Sequence, residues 1–290
     1  ILARLDLPDA ARSAADVVED ESDAGVEPRR VLLAEDGVIN QRVAVGFLDQ
    51  RGHETVVVTT GRDALTALRN GAFDLVLMDI QMPEMDGYEA TAAIRADEEG
   101  TDRHLPVFAM TAHAMKGDRE KCLAAGMDGY IAKPIDPQEL FAAVESVPAR
   151  VLADGRAGDS TRAPDTLTTR ATAGETIDWE QVARKIPGGL DGAVELVEMF
   201  LEESEKELQR IRNGLSEGDA DTVRRSAHTL KSSIGIFGPE PAVKAAYALE
   251  TIAREGRLEA AAEAFSRLES AVTVLRAEME NFLRKRSAAG

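Results

Sequence analysis

Between residues 29 and 150, short apolar runs alternate with segments of helical period, and this alternation restricts the architecture more than any other feature. The runs are Val31 to Ala34, Val56 to Val58, Asp74 to Met78, Pro106 to Met110 and Tyr130 to Ala132. All are too short for buried helices and suit strands covered on both faces. Between them, Ile39 to Gln50 puts Ile39, Val43, Phe47 and Leu48 on one side, and Gly52 ends it. Arg62 to Arg69 is a helix closed by Asn70-Gly71. Further helices are expected over Tyr88 to Ala96, Ala114 to Ala125 and Gln138 to Val147. Five strands interleaved with five helices predict an α/β, doubly wound, five-stranded parallel sheet.

Chemistry in such sheets collects at the carboxyl ends of the strands. In the strand order common to this architecture, strand two lies outside strand one and strand three inside it, so strands one and three are neighbours. Their ends carry Glu35, Asp36 and Asp79. Taken alone, Asp79 would be a helix cap or a solvated loop acid. Three carboxylates converging in one crevice repel unless a cation joins them, and an all-oxygen set with room for water suits Mg²⁺. Thr111 ends strand four and Lys133 ends strand five. A hydroxyl and an ammonium facing the same crevice could neutralise phosphoryl oxygens while Asp79 attacks phosphorus.

The pattern Glu35-Asp36, Asp79, Thr111-Ala112, Lys133-Pro134 resembles the receiver domain of response regulators, a flavodoxin-like fold, from about residue 29 to 150. The resemblance implies that Asp79 is the phospho-acceptor. It implies that Glu35, Asp36 and Asp79 hold Mg²⁺, with the backbone carbonyl of Gln81 as a further ligand. It also implies that Thr111 follows phosphorylation, that Tyr130 changes rotamer with it, and that Lys133 binds phosphate. The Lys133-Pro134 bond is expected to be cis. Gly37 stands where an Asn is often found, with little expected effect on chemistry. His113 and Gln81 read as exposed loop residues, though the resemblance allows both to tune hydrolysis of the aspartyl phosphate. The wording Met82-Pro83-Glu84-Met85-Asp86-Gly87 is typical of receivers fused to hybrid sensor kinases.

Residues 151–176 are rich in Pro, Gly, Ser, Thr, Asp and Arg and read as a flexible linker. From Asp178 the period is helical throughout. Val194, Val197, Leu201, Leu208, Ile211 and Leu215 form one stripe, and Phe265, Leu268, Val272, Leu275, Met279 and Phe282 another. Two shorter helices, near Asp219 to Ile236 and Ala242 to Arg254, lie between them. Four amphipathic helices with short connections predict an all-α four-helix bundle over residues 177–286, with a tail at 287–290. On the second helix Val223, Ala227, Leu230 and Ile234 face the core. His228 falls beside them, at an edge open to solvent, with Lys231, Ser232 and Gly235 on its face. A neutral imidazole is a competent nucleophile near neutral pH, and a neighbouring cation would hold phosphate oxygens. The string around His228 resembles the histidine phosphotransfer (HPt) domain, which implies that His228 carries phosphate, supported by Lys231 and Ser232. Ser232 replaces a common glycine, which narrows access. His53 and His104 have no such context and are expected at the surface.

The formal net charge of −18 argues against nucleic acid as a direct partner. One cysteine, Cys122, allows no internal disulfide and fits a reducing, cytoplasmic setting. No apolar run is long enough to span a bilayer. Residues 1–28 form an acidic linker, with five acids between Asp16 and Asp23; Ile1 to Leu7 resembles the end of a kinase ATP-binding domain, as expected of a piece of a longer polypeptide. No ATP-binding lid is found in the sequence. The expected whole is the phosphorelay portion of a hybrid sensor histidine kinase. Its partners would be a kinase core and a downstream receiver, with the direction of phosphate flow open. Two other readings stand beside it. In one, the receiver is only a switch that gates a partner while another protein serves the HPt. The other, a haloacid-dehalogenase-like phosphatase, needs a second Asp where Gln81 stands.

Overall fold

A computed structural model describes residues 27–111, 116–148 and 177–288. The amino-terminal acidic segment, the linker at 151–176, His113 and Ala112 therefore lie outside the described residues. The first half follows the order β1 (Arg30–Ala34), α1 (Val38–Gln50), β2 (Glu54–Val58), α2 (Gly61–Asn70), β3 (Leu75–Asp79), α3 (Gly87–Glu98), β4 (Val107–Thr111), α4 (Lys116–Ala124), β5 (Gly129–Ala132) and α5 (Pro137–Glu145). All pairings are parallel, in the order β2-β1-β3-β4-β5. Strands β1 and β3 are central, and Leu32, Leu33, Leu75 and Leu77 are fully buried. Burial on both faces explains why these runs are continuous rather than alternating.

Local chemistry fixes the helix starts. Asp86 accepts from Glu89 N at 2.8 Å, while the Glu89 carboxylate accepts from Asp86 N at 3.1 Å, a capping box on α3. Asp136 caps α5 ahead of Pro137 at its first turn. Gly87 lets the loop after β3 fold back onto the strand: a Cβ there would lie 2.2 Å from the Asp79 carbonyl oxygen.

The second half contains α6 (Trp179–Arg184), α7 (Gly189–Glu217), α8 (Ala220–Phe237), α9 (Glu240–Arg254), a 3₁₀ turn at Leu258–Ala260 and α10 (Ala261–Ser287). Helices α7 to α10 form the expected four-helix bundle. Val223, Ala227, Leu230 and Ile234 are buried as the stripe predicts. Helix α6 is an addition, and it carries Trp179. That indole stacks on Phe282 with ring centroids 3.8 Å apart and meets Phe237 edge-on at 6.4 Å. No helix among the described residues is long and apolar enough to cross a membrane.

The two halves touch. Helix α1 packs against α7 and α8, and Ile39 and Val43 share one continuous buried cluster with Phe200 and Leu230. Arg42 donates to Glu195 through Nε at 2.6 Å and Nη2 at 2.8 Å, a two-pronged pair. The ring of Pro187 sits over Gly46, where a Cβ would approach it to 2.5 Å. A glycine inside a helix costs about 0.5–1 kcal/mol relative to alanine, and here its bareness admits the proline.

One surface expectation fails within the sheet domain. His53 is 4 % exposed, and its Nδ1 accepts from the Arg29 backbone amide at 3.1 Å. Arg29 is itself drawn over this corner, because its Nε donates to the Val147 carbonyl at 2.7 Å. Burial holds the His53 imidazole below its ordinary pKa. His104 is exposed, as expected, and meets Asp128 at 2.5 Å.

Candidate phosphoryl-transfer site

Strands β1 and β3 end side by side, and their last carboxylates meet. Oxygens of Glu35, Asp36 and Asp79 all lie within 4.8 Å of one another. Lys133 follows β5 and reaches into the same place, with Nζ 2.6 Å from Glu35 Oε2 and 2.8 Å from Asp79 Oδ2. The Lys133-Pro134 bond is cis. Asn40, one turn into α1, donates to Glu35 Oε1 at 2.9 Å, joined by the Gly37 amide at 3.2 Å. Sequence reasoning passed over Asn40; its signal was a buried polar residue on the apolar side of α1. The Gln81 amide donates to Asp79 Oδ1 at 3.3 Å. Thr111 ends β4 beside this cluster and is half-buried, as is Tyr130 on β5.

Three carboxylates outnumber one ammonium. Burial first, then Glu35, pushes the Asp36 carboxyl up to about 7. Burial also pushes Asp79 up, to about 8, with Lys133 pulling against it and Glu35 and Asp36 adding to the rise. Burial would lower the Lys133 ammonium, but Asp79 and Glu35 outweigh it and hold it above its ordinary value. The pair thus pulls in opposite senses, and the charged ammonium is the firmer of the two, since every near neighbour favours it. The residual negative charge is what a divalent cation would discharge. Glu35 Oε2 and Asp79 Oδ2 are buried and receive no well-directed hydrogen bond among the described residues, so the donor set fits Mg²⁺. A cavity of about 140 Å³, lined among others by Asp36, Ile39, Ser204, Glu207 and Thr229, leaves room beside Asp36 for several waters.

His228 is the main correction. It was expected at a solvent-open edge, and it is 5 % exposed. The reason lies outside the bundle. Residues on its side of α8 face the sheet domain: Arg224 Nη1 donates to Gln81 Oε1 at 2.9 Å, and Gly235 lies against Pro134. The face predicted to be open is the one on which the neighbouring domain lies. Lys231 and Ser232 are buried with it.

Nor does Lys231 stand as a bare cation. Its Nζ meets Glu250 Oε2 at 2.5 Å, and Glu250 Oε1 lies 3.1 Å from His228 Nδ1. Glu250, on α9, is fully buried and was missed in the sequence. Burial alone would raise its carboxyl, but His228 and Lys231 overcome that and hold it down at about 2. Burial pulls His228 down to about 4, against the opposing Glu250 hydrogen bond. An ionised Glu250 can only accept, so the proton of the neutral ring sits on Nδ1. Nε2 then carries the lone pair, and it is buried with no hydrogen-bond partner among the described residues.

Residues 31–145 match the response regulator receiver domain family, and residues 195–281 match the Hpt domain family. Sensor protein GacS of Pseudomonas syringae pv. syringae is 32% identical over 250 residues, covering 86% of this chain and 27% of GacS. Hybrid signal transduction histidine kinase I of Dictyostelium discoideum is 38% identical over 46% of this chain and 8% of its own length. The chain therefore spans only a small part of these longer relatives. The polar-differentiation response regulator DivK of Brucella anthropi is 39% identical, over 41% of this chain and 95% of DivK. Among solved structures, the receiver domain of sensor histidine kinase PA1611 from Pseudomonas aeruginosa PAO1 is 38% identical over 42% of this chain and 98% of its own, with a TM-score of 0.38.

Proposed function

The chain belongs to the response regulator receiver family and joins that domain to an Hpt domain in two-component phosphorelay signalling, and we propose that its phosphate passes between Asp79 and His228 of the same chain. The observation that carries this reading is His228 Nε2, without a hydrogen-bond partner among the described residues and buried on the α8 face that meets the sheet domain beside Asp79 and Lys133. The working units are residues 29–150 and 177–286, and the kinase that loads Asp79 belongs to a longer polypeptide or a separate one, in a cytoplasmic setting.

In the first step an Asp79 carboxylate oxygen attacks the phosphorus of a phosphohistidine. The P–O bond forms as the P–N bond breaks, and the donor imidazole leaves with the electron pair. In the second, His228 Nε2 attacks the same phosphorus; the P–O bond breaks and the Asp79 carboxylate departs with its electrons. The reverse direction uses the same atoms. Lys133 neutralises phosphoryl oxygens throughout, and Thr111 offers a hydroxyl to them, with Tyr130 following its movement. Mg²⁺, held by Glu35, Asp36, Asp79 and the Gln81 carbonyl, would supply the remaining charge neutralisation. Glu250 keeps the Nδ1 proton in place so that Nε2 stays nucleophilic, and Lys231 holds Glu250 ionised. Ser232 leaves space at the ring.

The switch-only reading has less support, because a separate receiver would meet a His228 face that is already covered. Incubating the Asp79→Ala chain with a phosphodonor kinase tests the proposal. His228 should acquire no label; label on His228 in that variant would end the internal relay.

A further inference from the structure

Gln81 touches both halves of the transfer machinery at once. Its backbone amide donates to Asp79 Oδ1 at 3.3 Å. Its side chain crosses to the bundle, where Oε1 accepts from Arg224 Nη1 at 2.9 Å and Nε2 donates to Glu250 Oε1 at 3.4 Å. That Glu250 oxygen is the one facing His228 Nδ1. Arg224 lies one turn before His228, and its Nη2 is tied to Asp221 at 2.8 Å. A guanidinium can only donate and a carboxylate can only accept, so a primary amide is the neutral side chain that satisfies both. The partners also fix which way the amide points.

We propose that Gln81 is a positioning residue shared between the domains: clamped by Arg224, it fixes Glu250 and, through it, the ring of His228 along the line of attack on Asp79-bound phosphate. This rests on the internal relay proposed above and adds what aims it. Glu250 Oε2 is held by Lys231 within the bundle, while Oε1 meets, among the described residues, the histidine and Gln81. When the domains part, Oε1 loses its third-party anchor and the ring gains freedom. The nucleophile is thus aligned only when the acceptor is present. As the Nε2–P bond forms and the P–O bond to Asp79 breaks, both ends of the reaction are referenced to one residue.

The test uses the whole 290-residue chain. Gln81→Met keeps the volume and removes both cross-domain hydrogen bonds; Arg224→Met releases the clamp from the other side. Asp79 is loaded with acetyl phosphate and Mg²⁺, and alkali-stable phosphohistidine on His228 is followed in a single turnover. Docking is read independently from the NMR shift of the Gly46 amide, at the residue Pro187 packs against. The ring nitrogens of His228 report its tautomer. We expect docking to persist in both variants, transfer to slow at least about tenfold, as misalignment does, and the distinct Nδ1 and Nε2 signals to move toward each other. Unchanged transfer and unchanged ring signals with docking retained would overturn the proposal. So would a slowing that disappears once lost docking is corrected for. A wild-type chain that never labels His228 sinks the relay itself, whereas the ring spectrum reads Gln81 alone.

Discussion

Glu250 decides which nitrogen of His228 carries the proton, and burial decides that the ring is neutral. Both leave a signature in stability. The folded ring titrates at about 4 against an ordinary 6.5, so the unfolded chain takes up this proton first as pH falls. The contribution of a neutral His228 is complete above pH 6.5 and lost between 6.5 and about 4. Glu250, held down at about 2, gives up its own contribution only below its ordinary 4.5, so the histidine acts first. The stability difference between wild type and His228→Gln, taken from denaturant midpoints, should therefore move against wild type as pH drops from 6.5 toward 4. A flat difference would contradict the buried neutral ring. Lys133 makes a second residue-scale case. It is the one cation that contacts Glu35 and Asp79 in the described site, and Lys133→Met leaves both carboxylates uncompensated. Breaking a buried pair in this way costs about 3–5 kcal/mol. Thermal melts should show a large loss in chelator and partial recovery in Mg²⁺, with a greater Mg²⁺-induced rise than in wild type.

At the scale of elements, α1 does two jobs with two faces. Val43, Phe47 and Leu48 are buried and hold it in place, while Arg42 and Gly46 meet the bundle. Gly46→Ala should favour the helix by about 0.5–1 kcal/mol and yet push Pro187 away. Calorimetry should then resolve two transitions where docking had linked them; a single transition at higher temperature would contradict the tight contact. Arg42 and Glu195 are roughly half exposed, and such pairs contribute only about 0.2–1 kcal/mol. Arg42→Glu should weaken docking slightly, and adding Glu195→Arg should restore it, which identifies the pair as a setter of register rather than strength. Much of this level was legible in the sequence. Central strands announce themselves as continuous apolar runs, and their terminal acids then follow from strand order. Helix α6 has six residues, too few to display a period. Glu250 stands 22 positions from His228, in a helix whose pattern reads it as one more surface acid. His53 is buried by Arg29 and the end of α5, contacts that no local pattern carries.

For the whole molecule, the domain contact turns an accessible histidine into a covered one. A bundle read alone leaves the His228 face open, and nothing in its helical period records that another domain lies on it. Covering has a consequence for traffic. On the proposed relay, a separate receiver would reach Nε2 only after the chain's own receiver steps aside, so internal and external transfer would compete. A chain carrying Asp79→Ala and Gly46→Ala should exchange phosphate with a His228→Gln chain faster than one carrying Asp79→Ala alone, as measured by label moving between the two. Equal rates would show that the covered face is not the barrier.

Trp179 offers a way to follow the helical half on its own. The chain has a single tryptophan, stacked on Phe282 and edge-on to Phe237 within the helical half. Its ring partners both belong to the helical half, so its fluorescence should report the unfolding of that half. A built-in optical reporter of one partner times that half without a label being added.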